Sequence, residues 1–269
     1  MDRFLEPIRS PSNPRVREWV RLHEGKRRRE SGRFLIDGSY EVRQALEGGL
    51  ALEEILIGDD PAGDGLAEEW TRTGAESAVP LRRVAPRVLA KVSVRRHPDG
   101  VVAVARRPDR GLRLPGDPEG PLLVVSRLEK PGNLGALVRS AYAAGSAGIL
   151  LCDPAVDFEH PQVIRASRGL VFRLPGWTAG SAEAIDFLAA RGIAVVAADK
   201  EAPVDLWEAD WPEPAAIVLG EEHAGLAPGW ARAAACGVRI PMRQGIDSLN
   251  VSVSGALLLY EWHRRHRSG

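Results

Sequence analysis

Leu122-Leu123-Val124-Val125 is an apolar strand. A loop from Ser126 to Gly132 follows, and Asn133-Leu134-Gly135-Ala136-Leu137-Val138-Arg139 then opens a helix that runs from about residue 134 to 144 and is stopped by Gly145. An uncharged strand followed by a helix, not by a hairpin, belongs to a parallel sheet covered on both faces. The same alternation continues downstream. Strands are expected at Gly148–Cys152, after Val171-Phe172, and at Ile193–Ala197, Ala216–Leu219 and Val238–Ile240; helices are expected at Pro161–Ser167, Ala182–Arg191 and from Val251 to about His263. An open sheet of this class binds ligands beyond the carboxyl ends of its strands. Besides Asn133–Arg139, two of those ends carry small and polar residues: Gly220-Glu221-Glu222-His223-Ala224-Gly225-Leu226, and Ile240-Pro241-Met242 followed by Ser248-Leu249-Asn250-Val251-Ser252. Glycines there allow a backbone to come close to a ligand. No Gly-x-Gly-x-x-Gly follows the first strand and no phosphate-binding P-loop occurs, so a standard dinucleotide or nucleoside triphosphate site is unsupported.

Upstream, residues 34–106 read as a smaller α/β domain. Phe34-Leu35-Ile36, Leu52–Ile57, Pro80–Val84 and Val101–Ala105 are its strands; Tyr40–Glu47, Leu66–Thr73 and Pro86–Val92 are its helices. Before it, Asn13–Arg29 reads as one short amphipathic helix that Asn13 caps and Pro14 starts. Between the domains, Arg107 to Pro121 holds four prolines and three glycines, which no regular element sustains; the linker is placed at 107–120 and the second domain at 121–269.

The 269 residues are 44% hydrophobic and 27% charged, enough for two modest cores. No apolar run approaches the ~18 residues of a membrane span, and Met1-Asp2-Arg3-Phe4-Leu5-Glu6 lacks the core of a secretory signal, so a cytoplasmic protein without membrane contact is expected. Cys152 and Cys236 have no CxxC spacing and read as reduced core thiols; no metal site is expected. The net charge is zero, but residues 1–33 hold ten Lys/Arg against five Asp/Glu. This basic arm, densest at Lys26-Arg27-Arg28-Arg29, suits phosphate contacts, or is simply a solvated helix face.

Singly, the polar residues of the three stretches have plain readings. Asn133 orients its loop or caps its helix; Glu222 is a solvated loop carboxylate; Ser248 and Asn250 cap the last helix. Arg139 is less easily dismissed, because a guanidinium offers a planar fork to phosphate.

Together the stretches resemble the signature motifs of the SpoU (TrmH-type) branch of the SPOUT superfamily, RNA ribose 2′-O-methyltransferases. The resemblance extends to Pro131–Arg139, Ala143-Ala144-Gly145, Arg165-Ala166-Ser167-Arg168-Gly169, Leu219–Leu226 and Ile240–Ser254, and Phe34–Gly38 is similar to the family's ribosomal-protein-like substrate-binding domain. It implies a SPOUT domain with a deep C-terminal trefoil knot, a homodimer, and S-adenosylmethionine as cofactor. It implies cofactor contacts at Leu219, Gly220, Glu221, Ile240, Pro241, Met242 and Leu249. It further implies a catalytic group of Asn133, Arg139, Glu222, Ser248 and Asn250, with RNA contacts at Lys26, Arg27, Arg28, Arg29, Arg165 and Arg168. One departure is Val124-Val125-Ser126-Arg127, where many relatives carry an aspartate near Ser126. Ribosomal RNA is the expected substrate, in a housekeeping or an antibiotic-resistance role. Transfer RNA, or a non-catalytic part in ribosome assembly, are the alternatives.

Overall fold

The computed structural model describes residues 4–59, 65–114, 116–221 and 225–266. The chain forms β1 (Phe4–Ile8), α1 (Pro14–Arg21), α2 (Gly25–Ser31), β2 (Arg33–Asp37), α3 (Ser39–Glu47), β3 (Leu52–Gly58), α4 (Gly65–Ser77), β4 (Leu81–Val84), α5 (Pro86–Val92) and β5 (Val101–Arg106). It continues through β6 (Leu122–Ser126), α6 (Pro131–Ala143), β7 (Gly148–Cys152), α7 (Pro161–Ala166), β8 (Gly176–Ala179) and α8 (Ser181–Ala190). β9 (Ala194–Ala198), β10 (Val204–Asp205), β11 (Ala215–Leu219), α9 (Pro228–Ala233), β12 (Ala234–Arg239) and α10 (Val251–His266) complete it. Two compact units result: residues 1–109 with 159–173, and residues 110–158 with 174–269.

The first unit is built on a five-stranded mixed sheet in the order β1-β4-β3-β5-β2, in which β5 runs antiparallel to both β2 and β3. Alternation along the strands divides the side chains: Leu35, Leu56, Val102 and Val104 face α1 and α5 through Val16, Trp19, Val88 and Val92. The stretch read as a basic arm is part of this body. β1 pairs in parallel with β4, Phe4 opposite Leu81. A strand containing Glu6 and Pro7 has a weak local signal, and an edge position tolerates its missing N–H.

The single helix expected over 13–29 is two. Asn13 caps the first as expected, its side chain accepting from the Arg15 N–H at 2.9 Å. The chain then breaks at Leu22–Glu24, where the Arg28 guanidinium donates to the carbonyls of Leu22 (3.2 Å) and His23 (2.8 Å). Helix ends leave carbonyls without partners, and Arg28 fills that need. Arg28 is 1% exposed. Its expected contact with RNA is therefore corrected: the side chain is consumed inside the fold. Lys26, Arg27 and Arg29 remain on the surface, the first two beside Glu30.

Residues 159–173 lie in sequence between β7 and β8 but pack on the first unit. Buried Glu159 accepts two bonds from Arg107 (3.0 and 2.9 Å), Phe172 meets Phe34, and Arg173 pairs with Glu47 at 2.6 Å. The stretch expected as a linker is thus divided. Arg107 belongs to the first unit, whereas Leu112 and Leu114 pack against the core of the second.

That second core surrounds a seven-stranded sheet, parallel throughout, in the order β10-β12-β9-β11-β6-β7-β8. Leu122, Val124, Leu150, Val195 and Val218 meet Leu188 and Trp230 of α8 and α9 on one face. On the opposite face α10 packs against α6 and β11. Gly255 makes that approach possible: a β-carbon there would collide with Leu137 and come within 3.0 Å of the Leu219 Cδ1.

Candidate active site

Because β12, β9 and β11 are parallel neighbours, their carboxyl ends emerge side by side. A cleft of about 590 Å³ opens there, within the range of small-molecule sites. From β9 it takes Ala198, Asp199, Lys200 and Glu201; from the end of β11, Leu219, Gly220 and Glu221, then Gly225 and Leu226; from β12 and beyond, Val238, Ile240 and Met242. Asp247, Ser248 and Leu249, with Val251 and Ser254 at the start of α10, close it.

The turn after β11 is tightly made. The Glu221 N–H donates to the Gly225 carbonyl at 2.9 Å, and the Gly225 N–H returns a bond to the Glu221 carbonyl at 3.2 Å. Gly225 is left-handed at φ +67°. Gly220 sits against that turn so closely that a β-carbon would lie 2.6 Å from the Leu226 nitrogen and nearer still to the Gly225 carbonyl. Arg127, left-handed at φ +50° just past β6, donates to the Glu221 carboxylate at 2.9 Å.

The two signature stretches at α6 and α10 are joined directly. Asn250 Nδ2 donates to Asn133 Oδ1 at 3.2 Å. Asn250 also caps α10, its Oδ1 accepting from the Ser252 N–H (2.9 Å) and Oγ (2.6 Å). The capping role expected of Asn250 and the link to Asn133 therefore coexist in one side chain. Asn133 does not cap α6; Lys130 occupies that position, and Asn133 is the third residue of the helix.

Residues 120–260 match the SpoU rRNA Methylase family, and residues 13–103 match the MRM3-like substrate binding domain. The chain belongs to the SpoU rRNA methylase family. A solved RNA 2′-O ribose methyltransferase is 43% identical to it, with a TM-score of 0.80 over 98% of this chain and 99% of that one. The AdoMet-bound rRNA methyltransferase of Sinorhizobium meliloti is 28% identical, with a TM-score of 0.88 over 99% of this chain and 100% of its own. The 23S rRNA (uridine(2479)-2′-O)-methyltransferase of Streptomyces viridochromogenes is 30% identical over 96% of this chain and 92% of its own.

In this SpoU-family chain, Leu219, Gly220, Glu221, Ile240, Met242 and Leu249 line the cleft, as does Ser248 from the expected catalytic group. Pro241 is exposed and is not part of the lining. Glu222 lies outside the described residues. Arg139 is exposed on α6 and does not line the cleft, and among the described residues it has no carboxylate partner. At 100° per residue, Asn133 and Arg139 stand on different faces of α6. Asp199, Lys200, Glu201 and Asp247 are lining residues that the motifs did not indicate. The rule that ligands gather at strand ends, applied to β9 as it was to β11, would have found the first three. With Glu221 paired to Arg127, Asp199, Glu201 and Asp247 still outnumber Lys200, so the rim favours a ligand carrying positive charge.

The same sheet contains Cys152. Burial above all, with Asp153 and Glu183 nearby, pushes the pKa of its thiol up to about 12. It holds no thiolate near neutral pH and is no nucleophile.

Proposed function

We propose that this chain transfers the methyl group of S-adenosylmethionine to a ribose 2′-hydroxyl of 23S ribosomal RNA. The observation that carries the reading is the convergence of two motif-bearing turns, those after β11 and β12, on one cleft at the carboxyl edge of a parallel sheet, with the third stretch tied to it through the Asn133–Asn250 bond. The cleft fits the cofactor in three respects: its volume, its main-chain-rich turns around Gly220 and Ile240, and an acidic rim suited to a molecule with a sulfonium and an ammonium. When bound, S-adenosylmethionine supplies an electrophilic methyl group.

The protein's own work is positioning and charge stabilisation. Leu219, Ile240 and Leu249 offer apolar contact to a planar base, while Gly220 and Met242 offer backbone donors and acceptors. The Asn133–Asn250 bond holds the start of α6 against the start of α10, which fixes Ser248 and Leu249 at the mouth of the cleft. Arg139 offers a planar cationic fork, so its role is to hold an RNA phosphate and stabilise the alkoxide that develops as the 2′-hydroxyl gives up its proton to solvent. Holding the hydroxyl in line with the methyl group supplies much of the remaining acceleration. Glu222 completes the catalytic group on the strength of the family resemblance. Lys26, Arg27, Arg29, Arg165 and Arg168, all exposed, are the RNA-facing cations.

A homodimer is part of this proposal. Tyr142 on α6 and Val253 and Tyr260 on α10 are 37%, 47% and 50% exposed, an apolar face in want of a cover, and a second copy supplies it. So is the trefoil knot. What supports it is the strand order, with β11 between β6 and β9 and β12 between β9 and β10, and the return of α10 to α6. No helix among the described residues is long and apolar enough to cross a membrane, and a cytoplasmic location follows from the substrate proposed.

The test is transfer of tritium from labelled S-adenosylmethionine to transcribed 23S rRNA, 16S rRNA and tRNA, with ribose methylation mapped by primer extension. Stoichiometric labelling of one 23S nucleotide is expected. Labelling of tRNA alone would replace the substrate, and labelling of none would overturn the enzymatic reading.

A further inference from the structure

The segment 159–173 turns sharply where α7 ends, the Gly169 N–H donating back to the Ile164 carbonyl at 2.9 Å. Arg168 and Gly169 are both left-handed, at φ +53° and +75°. A non-glycine residue in that region carries a cost of about 1–2 kcal/mol, and such residues persist where the surroundings hold them. Here the surroundings are α3. A β-carbon on Gly169 would lie 2.8 Å from the Gln44 Cβ and 3.1 Å from the Glu41 Cα, so the turn is pressed onto the helix backbone. The result is that Arg168 is carried over the ring of Tyr40, its Cζ 4.8 Å from the ring centroid.

The cations around this turn fall into two groups. Arg95 and Arg173 are neutralised: Arg95 by Glu41 at 2.6 Å and by Asp37, Arg173 by Glu47 at 2.6 Å. They brace α3. Arg168 and Arg165 are exposed, and neither has a carboxylate partner among the described residues. Tyr40 is 45% exposed although its neighbours in α3, Glu41 and Val42, are buried. The loop at 93–99 is tied to the same first turn of α3, Asp99 accepting from the Ser39 N–H at 2.9 Å, and it adds the exposed Arg96 and His97. An aromatic ring, a stacked guanidinium and unneutralised positive charge on a braced frame are the elements that grip unpaired nucleotides: bases stack on the planes and phosphates meet the cations.

We propose that the Tyr40–Arg168 stack is a seat for an unpaired base of the RNA substrate. This rests on the RNA function proposed for the chain and adds a binding element for the substrate itself. Neither residue lines the methyl-donor cleft, so both act through substrate affinity.

The experiment measures filter binding of the full-length protein to transcribed 23S rRNA across a salt series, with kcat and KM for methyl transfer. Tyr40→Ala and Arg168→Ala each raise Kd and KM about tenfold, the usual effect of losing one stacked base, and leave kcat and S-adenosylmethionine binding as in the wild type. Tyr40→Phe retains affinity. Arg168→Ala also lowers the salt slope by about 1, as loss of a phosphate contact does, whereas Tyr40→Ala does not. Wild-type affinity in Tyr40→Ala, with a wild type that binds and methylates 23S rRNA, overturns the seat and leaves the function intact. A wild type that neither binds nor methylates 23S rRNA removes the function, and the seat with it. Both side chains are on the surface; should either alanine variant fold poorly, Arg168→Lys keeps the charge and loses the plane, and a wild-type KM in that variant overturns the seat equally.

Discussion

Replacing Gly220 by alanine places one methyl group where the turn after β11 already is. Its carbon would lie 2.6 Å from the Leu226 nitrogen, where ordinary contact begins near 3.4 Å, and closer to the Gly225 carbonyl. The three nearest atoms are all backbone, so no rotamer change relieves the clash. The turn must move by about 0.8 Å or more, against the two hydrogen bonds that join Glu221 and Gly225. Overpacking of this kind costs roughly 1–3 kcal/mol, which for a body of this size lowers Tm by about 2–12 °C. Losing one or two main-chain bonds to the cofactor, at ~0.5–1.5 kcal/mol each, weakens S-adenosylmethionine binding by about twofold to 150-fold. Calorimetric titration with the cofactor and a thermal scan measure both. Gly192→Ala, away from the cleft, is the control. Its β-carbon meets nothing within 4 Å among the described residues, so only the strain of φ +64° remains, and its Kd should stay within about threefold of the wild type despite ~1 kcal/mol lost in stability. If Gly220→Ala binds the cofactor as tightly as the wild type and melts within about 1 °C of it, the close packing of this turn does not shape the site.

Arg139→Ala should keep cofactor affinity and lose about a hundredfold or more in kcat, as removal of a transition-state donor does; equal turnover in the tritium assay would discard its role. Asn250→Ala removes a helix cap and the link to Asn133 together. It should cost about 1 kcal/mol of stability and slow transfer more than it weakens RNA binding, and a variant that melts and methylates like the wild type would refute both roles. Glu261 is buried at the end of α10, where hydrogen bonds from Arg264 first, and then Arg265, hold its carboxyl below the usual glutamate range. A depressed carboxylate stabilises above its unfolded pKa and loses that contribution as pH falls through the folded value. The gap in Tm between the wild type and Glu261→Gln should therefore be full near neutral pH and close in acid; a gap independent of pH would refute it.

The sequence by itself determined the α/β class, the parallel character of the larger sheet and most element positions, because hydrophobic runs and Pro/Gly stops are local properties. Expected helices at 86–92 and 161–167 and the strand at 148–152 fall within a residue of those observed. It also pointed to two of the strand ends that open on the cleft, those of β11 and β12, because glycines and polar residues there serve no core; the stretch after β6 does not line it, and the end of β9 was not marked. What it could not determine were pairings between distant residues that local periodicity does not record. In sequence Arg28 is one more cation in a basic run; in the fold its guanidinium caps the carbonyls of Leu22 and His23. β1 has too weak a pattern to read as a strand, and its pairing with β4 spans some 75 residues. Asn133 and Asn250 meet across 117 residues. The acidic rim at Asp199 and Glu201 became part of the site only because β9 stands between β11 and β12. Nothing in Arg165–Gly169 marks it as belonging to the first unit; that was decided by the close fit of Gly169 against α3, a contact set by tertiary packing alone.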